Sequence, residues 1–524
     1  MTTTPAPASS LNAARRARDL DRLSDRPEVD LLVVGGGITG TGVALDAASR
    51  GLSVLLAERH DLAFGTSRWS SKLVHGGLRY LAKGQLGIAY ESARERHLLL
   101  ARTAPHLVRA LPMLLPLHES VSLPQAALTR TGFLLGDALR VAAGTRRGTL
   151  PRTRRVSRER VLDLAPALRA QGLRGGQLAY DGQLVDDARL VIALARTAAA
   201  HGAAVVTRCA AEELHGRGAV LRDGLTGERL QVRARAVVNA TGVWADRLVP
   251  DVRLRPSRGS HLVLPGALFG GLRSALTVPV PGETNRFVLV LPQDGGRVYV
   301  GLTDEPLDGP VPDVPGVPEE DVTFLLDVLG SVLTTRVRRS DVLGAYAGLR
   351  PLLDGGPGRS ADLSRRHAVL TSPDGVVTVV GGKLTTYRRM AEDAVDTALA
   401  RSGLTAGPCR TTRLPLVGAG SPVALARLHA PAHLVARYGT EAEAVAALAG
   451  VDSDGNSGHS GNGGGTEDAG ALPEGVTGAE LRWAVRMEGA LDEQDLLERR
   501  TRIGLVPADR ERALPAARAA LTAP

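Results

Sequence analysis

A glycine-rich turn set between an apolar strand and a helix of small residues constrains this chain more than any other feature. Asp30-Leu-Leu-Val-Val runs directly into Gly-Gly-Gly-Ile-Thr-Gly, placing Gly35, Gly37 and Gly40 in G-x-G-x-x-G register. A helical pattern through Val43, Ala44, Ala47 and Ala48 stops at Gly51, a suitable C-terminal cap. Ser53-Val-Leu-Leu-Ala-Glu58 then reads as a second strand, ending in a carboxylate 18 positions after Gly40. The first glycine makes the tight turn, the second lets backbone approach a pyrophosphate, and the third packs helix on strand. The helix N-terminus receives the phosphates and Glu58 the ribose hydroxyls. With strand, turn, helix, strand and acid in order, the segment predicts a bound dinucleotide.

Later segments favour a flavin over a nicotinamide. Gly65-Thr-Ser-Arg-Trp-Ser-Ser-Lys-Leu-Val-His-Gly-Gly-Leu-Arg-Tyr is dense in hydroxyls, small residues and charge. Its glycine pair allows close approach to a flat ring, so Thr66, Ser67, Ser71, Lys72, Leu73, His75, Gly76 and Gly77 are read as cofactor contacts. Arg235-Ala-Val-Val-Asn-Ala-Thr-Gly242 is a strand ending in a shape suited to pass a dinucleotide. Val376-Val-Thr-Val-Val-Gly-Gly-Lys-Leu-Thr-Thr-Tyr precedes another helical pattern. It would bring Gly382, Lys383, Leu384, Thr385 and a helix N-terminus to one ring edge, where positive potential stabilises negative charge on the reduced ring. No second complete G-x-G-x-x-G unit follows another strand, so the electrons are expected to come from an organic substrate.

Composition narrows the rest. The 524 residues suggest roughly two to four domains. No run of about 18 apolar residues exists to span a membrane. Two cysteines, Cys209 and Cys409, exclude a disulfide scaffold, and a reducing, cytoplasmic compartment is the expectation. Of 64 basic residues only Lys72, Lys83 and Lys383 are lysines; in a chain that uses arginine for generic charge, a retained lysine points to a need for its compact ammonium. The predicted class is α/β: a Rossmann-like FAD-binding domain (28–110, 180–252 and 365–405), interrupted by an antiparallel-sheet substrate domain (111–179 and 253–364). A mainly helical C-terminal domain follows (406–524). Residues 1–27 are read as an arm with order beginning at Asp30, although Leu11 to Leu23 could form a short amphipathic helix. Residues 451–475, with eight glycines in 25 residues, are read as a flexible loop.

These segments resemble the FAD-dependent, respiratory glycerol-3-phosphate dehydrogenases, within the wider D-amino acid oxidase-like flavoproteins. The resemblance rests on Ser71-Lys-Leu-Val-His-Gly-Gly-Leu-Arg-Tyr80, Leu184-Val-Asp-Asp-Ala-Arg-Leu190, Val238-Asn-Ala-Thr-Gly-Val-Trp244, Gly259-Ser-His261, Gly301-Leu-Thr-Asp304, Gly348-Leu-Arg-Pro-Leu352 and Gly381-Gly-Lys-Leu-Thr-Thr-Tyr-Arg388, in family order over about 30–400. Departures are the bulky Trp69, the long N-terminal arm and the polar 451–475 stretch. The resemblance implies oxidation of sn-glycerol 3-phosphate to dihydroxyacetone phosphate, with electrons passing through FAD to a membrane quinone. An oxidase using oxygen, on glycerol phosphate or an amine, is the alternative; a flavin-containing RNA- or membrane-binding module without turnover is a third reading.

Such a reaction needs a phosphate anchor, and paired guanidinium groups suit a dianion. Arg79 and Arg350, with Tyr80 in support, are the candidates. Arginine is a poor base because its pKa lies above about 12. His261, at a strand start, titrates in the right range, with Thr303 and Asp304 expected in the same pocket or orienting it. No metal is expected, since none of the twelve histidines has the spacing of a metal cluster. Arg140 to Arg160 holds eight arginines against one acid, Glu159. This basic stretch suits an anionic membrane surface at the inner face of the cell. It lacks interleaved aromatics, which argues against nucleic acid. A homodimer stays open.

Overall fold

The computed structural model describes residues 7–77, 84–119, 123–283, 286–354, 366–449 and 472–522. Its centre is a sheet whose main path runs 368–371, 377–380, 229–239, 28–34, 54–57 and 204–206. The strands Glu28–Val34, Val54–Ala57, Ala204–Val206, Arg229–Asn239 and Val377–Val380 pair in parallel. Their central stretches, 31–34, 54–57, 236–239 and 377–380, are buried and made largely of Val, Leu and Ala, as expected when helices cover a parallel sheet. The helices Ile38–Ser49, Asp187–Ala200 and Tyr387–Ser402 pack together on it through one apolar cluster that includes Val43, Ala47, Leu194 and Ala394.

A second, ten-stranded sheet holds Ser257–Pro265 between Arg297–Gly301 and Gly344–Arg350, both antiparallel to it. The predicted hairpin is present: Phe287–Pro292 and Arg297–Gly301 pair antiparallel across a turn at 294–296. The sheet is not wholly antiparallel, because Ala275–Pro279 lies parallel to Val108–His118. Neighbours so far apart in the chain are not joined by a tight turn, so nothing local fixes their relative direction. A short strand of the flavin loop, Leu73–Val74, closes the edge of this sheet against Leu173–Leu184. The loop is thereby fixed between the two sheets.

Two expectations about the termini are corrected. Residues 13–25 form a docked helix rather than an arm, and the first strand begins at Glu28. Asn12 caps the helix by accepting from the Arg15 N–H at 2.8 Å. Leu23 is buried, and the Arg16 guanidinium reaches Asp223 at 2.6 Å and the Thr207 carbonyl at 2.8 Å. The arginines that made this segment read as solvated are in part its docking groups. Of the 451–475 stretch, residues 451–471 lie outside the described residues. Residues 473–475 form a 3-10 turn, and Glu474 is buried, with one oxygen 3.4 Å from Arg502. The Glu474–Arg502 pair holds this last turn, and the loop expectation for 451–471 falls outside the described residues.

The C-terminal segment docks through charge as well as apolar packing. Arg499 and Arg500 both reach Asp61, at 2.7 Å each, and all three are buried. Arg189 meets Glu488 at 2.5 Å, Arg502 meets Asp186 at 2.9 Å and Arg68 meets Glu498 at 2.8 Å. Buried pairs of this kind set register more than they add stability, since desolvation offsets much of their attraction.

Candidate active site

The glycine turn has the shape a dinucleotide requires. Gly35 has φ +110°, and a Cβ there would lie 2.6 Å from the Ala240 carbonyl oxygen. At Gly40 a Cβ would meet the Gly35 oxygen at 1.9 Å, so helix and strand could not approach as they do. Gly37 caps the helix Ile38–Ser49 without a side-chain bond, and a Cβ on it would face Ser67. Glu58 is half-buried beside this turn, accepting the Gly36 N–H at 2.6 Å and the His60 N–H at 2.7 Å. Burial raises its carboxyl pKa, opposed by those two N–H bonds. Gly242 closes the strand Arg229–Asn239 at φ +62° with open space where a side chain would project. An extended dinucleotide fits this cradle, with Gly35, Gly37, Gly40, Glu58 and Gly242 along it.

The flavin loop, 65–77, ties the elements around this cradle together. Thr66 donates to the Leu349 carbonyl at 2.6 Å, and Ser67 accepts the Ile38 N–H at 2.9 Å. Ser71 and His261 share a hydrogen bond of 2.8 Å. His75 donates its N–H to Thr385 Oγ1 at 3.1 Å, and Gly76 donates its own to Asp181 at 3.0 Å. Asp181 also receives Arg96 at 2.6 Å and stands 3.5 Å from the His75 ring. Gly76 and Gly77 are required by crowding: a Cβ at 76 would strike Arg96, and Gly77 has φ +83° beside Ala89 and Ser92. Lys383 donates to Ser92 at 3.0 Å and, with Glu91, Arg366, His367 and Thr386, lines a cavity of about 540 Å³. Gly382 has φ +71°, and a Cβ there would press into Met390.

Three predicted site residues are placed differently. Lys72 does not present its side chain to a cofactor: the ammonium is buried, 2.7 Å from the Arg68 carbonyl and 3.2 Å from Asp187. Leu73 points into the second sheet's core beside Tyr346 and Val263. Thr303 is buried, with its hydroxyl between the Ser260 N–H (3.0 Å) and Asp321 (3.2 Å). Arginine 140 is likewise withdrawn from the basic surface, bonding Asp137 and the Thr145 carbonyl. Leu384 is partly buried against the first sheet's core. Arg79 and Tyr80 lie outside the described residues.

His261 and Arg350 stand on neighbouring strands. Arg350 donates to Ser257 (3.0 Å), Asp304 (3.1 Å) and the Thr303 carbonyl (3.1 Å), and Gly259 leaves room for its guanidinium to cross the strand. Asp304 therefore orients Arg350 rather than His261. His261 lies directly opposite both Gly301 and Tyr346 in register. Its ring stacks on Tyr346 at 4.7 Å and 7° and overlies Gly301, where a Cβ would come within 2.3 Å. Burial first, then the nearby cations Lys72 and Arg350, depress the imidazole to about 3. It is neutral at pH 7. Tyr346, Ser70 and Asp187 escaped the sequence reading; Asp186 and Asp187 look like an ordinary helix start, and Asp186 does cap it by accepting the Arg189 N–H.

Comparison with known proteins agrees with this architecture. Residues 30–388 match the FAD dependent oxidoreductase family and 409–523 the C-terminal domain of alpha-glycerophosphate oxidase. Glycerol-3-phosphate dehydrogenase 1 of Mycobacterium tuberculosis is 55% identical over 518 residues, 98% of each chain. The structure of the glycerol-3-phosphate dehydrogenase from Bacillus halodurans complexed with FAD superposes with TM-score 0.73 at 27% identity, covering 96% of this chain and 92% of that one. L-alpha-glycerophosphate oxidase from Mycoplasma pneumoniae with FAD bound shares the fold at TM-score 0.56 and 18% identity, over 73% and 96% of the chains. The chain belongs to the FAD-dependent oxidoreductases, and within them to the glycerol-3-phosphate dehydrogenase group. FAD is its cofactor.

Proposed function

We propose that the protein oxidises sn-glycerol 3-phosphate to dihydroxyacetone phosphate and passes the electrons to a membrane quinone. The observation that carries this reading is the placement of His261 and Arg350 on adjacent strands, beside a loop that also borders the dinucleotide cradle. When bound, FAD supplies a hydride acceptor for the hydrogen on substrate C2. Arg350, held by Asp304 and Ser257, anchors the phosphate with a fixed guanidinium fork; Arg79 and Tyr80, outside the described residues, are assigned to the same anchor on sequence grounds alone. His261, neutral and hydrogen-bonded to Ser71, takes the C2 hydroxyl proton through the Ser71 oxygen. A phosphate dianion beside Arg350 offsets one of the charges that depress the imidazole, so substrate binding raises its basicity. With FAD bound, the positive charge of Lys383 would favour reduction of the ring.

Membrane attachment without a span fits the surface. Among the described residues, no helix is long and apolar enough to cross a membrane. Leu134, Leu135 and Val141 on one helix and Leu86 and Tyr90 on its packing neighbour are exposed, and Arg146, Arg147, Arg152, Arg154, Arg155, Arg158 and Arg160 are exposed nearby in sequence. Apolar side chains next to a basic stretch suit the inner leaflet of the cell membrane.

Steady-state turnover of glycerol 3-phosphate tests the acceptor. Reduction of a short-chain quinone with little peroxide in air is expected. Stoichiometric peroxide with quinones inert would replace the dehydrogenase reading by the oxidase.

A further inference from the structure

We propose that Lys72 is a positioning residue for His261: its buried ammonium, fixed by Asp187 and the Arg68 carbonyl, lies against Tyr346, the ring that carries the imidazole, and keeps a positive charge beside it. The proposal rests on the reading of His261 as the proton acceptor. Lys72 sits at φ +55° in the flavin loop, a conformation that few non-glycine residues adopt. Its Nζ is 2.7 Å from the Arg68 oxygen, 3.2 Å from Asp187 and 4.7 Å from the centre of the Tyr346 ring. Asp187 also receives the Ser70 N–H at 2.9 Å and its hydroxyl at 2.7 Å, while Tyr346 donates its own hydroxyl to the Ser70 carbonyl at 3.1 Å. The next residue, Ser71, holds His261. One closed set of contacts therefore runs from Lys72 through Asp187 and Ser70 to Tyr346, and from both Ser71 and Tyr346 to the imidazole.

The charge matters as well as the geometry. The groups that act on His261 from the surrounding elements are Lys72 of the loop and Arg350 and the neutral phenol of Tyr346 on the adjoining strand. Both charged groups are cations, and after burial, the largest cause, both hold the imidazole below its ordinary value of 6.5. Substrate phosphate answers Arg350 directly. Lys72 stays paired with Asp187, so its contribution persists through the reaction. An ammonium paired with one carboxylate and one carbonyl accounts for one of the three lysines in an arginine-rich chain.

The test uses full-length, FAD-loaded protein. Lys72→Met paired with Asp187→Asn removes both buried charges together, and Lys72→Met alone, which removes the ammonium and keeps Asp187, is the second variant. ¹³C-histidine NMR, with His261→Asn assigning the resonance and inorganic phosphate as the added anion, reads the onset of imidazole protonation. That onset is expected to move up by about one pH unit in the charge-free variants. The acid limb of flavin reduction at saturating glycerol 3-phosphate should move the same way, because it reports the base in the substrate complex. Lys72→Arg, which keeps the charge, should leave both near wild type. Charge-free variants that retain FAD with an unmoved resonance and an unmoved acid limb would overturn the proposal, as would an equal shift in Lys72→Arg. If His261→Asn reduces FAD at the wild-type rate, the proton-acceptor reading fails instead, and the resonance comparison still decides the role of Lys72.

Discussion

Arg350 and His261 differ in what a substitution should cost. A charge-assisted hydrogen bond to a phosphate is worth about 1.5–3 kcal/mol, so Arg350→Ala is expected to raise KM for glycerol 3-phosphate about 10- to 100-fold. Bound FAD should be unaffected, because Arg350 contacts the substrate strands rather than the glycine cradle. Unchanged KM would remove Arg350 from the site. Buried histidines also predict how stability responds to acid. His106 and His261 are each pushed down to about 3, chiefly by burial, from an ordinary 6.5. Below 6.5 the unfolded chain takes protons that the folded chain refuses. The stability they confer is complete above about 6.5 and drains away as pH falls toward 3, by at most about 1.4 kcal/mol per unit for each group. Chemical denaturation between pH 7 and 4.5 should show a shallower acid loss in His106→Asn, and an identical slope would contradict the assignment. At this scale the sequence was partly legible. The glycine turn and Glu58 could be read from residue type and spacing, whereas Arg350 and His261 stood out only through the motifs of the family the chain resembles. Lys72 and Thr303 do not, since only packing decides that one ammonium turns inward to Asp187 and one hydroxyl turns toward Asp321.

Among elements, the flavin loop and the C-terminal docking segment do the most to shape the site. The loop was legible as a cofactor segment, but not as the short strand that borders the second sheet, because a two-residue strand has no periodicity to read. The N-terminal helix was foreshadowed only as a possible short amphipathic helix over Leu11 to Leu23, and its arginines concealed the docking. Those side chains find carbonyls and carboxylates that are distant in sequence. The same applies to Arg499 and Arg500, whose shared partner Asp61 lies 438 and 439 positions away. Removing that carboxylate leaves two guanidinium groups buried with less compensation. Asp61→Asn should therefore cost about 3 kcal/mol or more and lower Tm measurably, while Asp251→Asn, on an exposed turn, should not. A wild-type Tm in Asp61→Asn would mean that the docking is apolar in origin.

Across the whole molecule, two sheets and a helical C-terminal segment meet around one loop, and the surface presents a basic stretch beside exposed apolar residues. The parallel sheet could be read from its strand–helix alternation. The parallel pair inside the second sheet could not, since it joins strands more than 150 residues apart. The surface reading leads to a binding prediction. Each basic residue near an anionic bilayer contributes about 1 kcal/mol. Reversing Arg154, Arg155 and Arg158 to glutamate should abolish sedimentation with phosphatidylglycerol vesicles at moderate salt, while turnover with a soluble dye acceptor persists. Equal sedimentation of wild type and variant would place the membrane contact elsewhere. The central claim is that this cradle and these two strands together pass a hydride from glycerol 3-phosphate to FAD. Anaerobic mixing of the purified yellow protein with sn-glycerol 3-phosphate tests it most directly. Bleaching of the flavin absorbance with one dihydroxyacetone phosphate formed per FAD reduced is expected, and a protein that stays yellow with no product would exclude this hydride transfer.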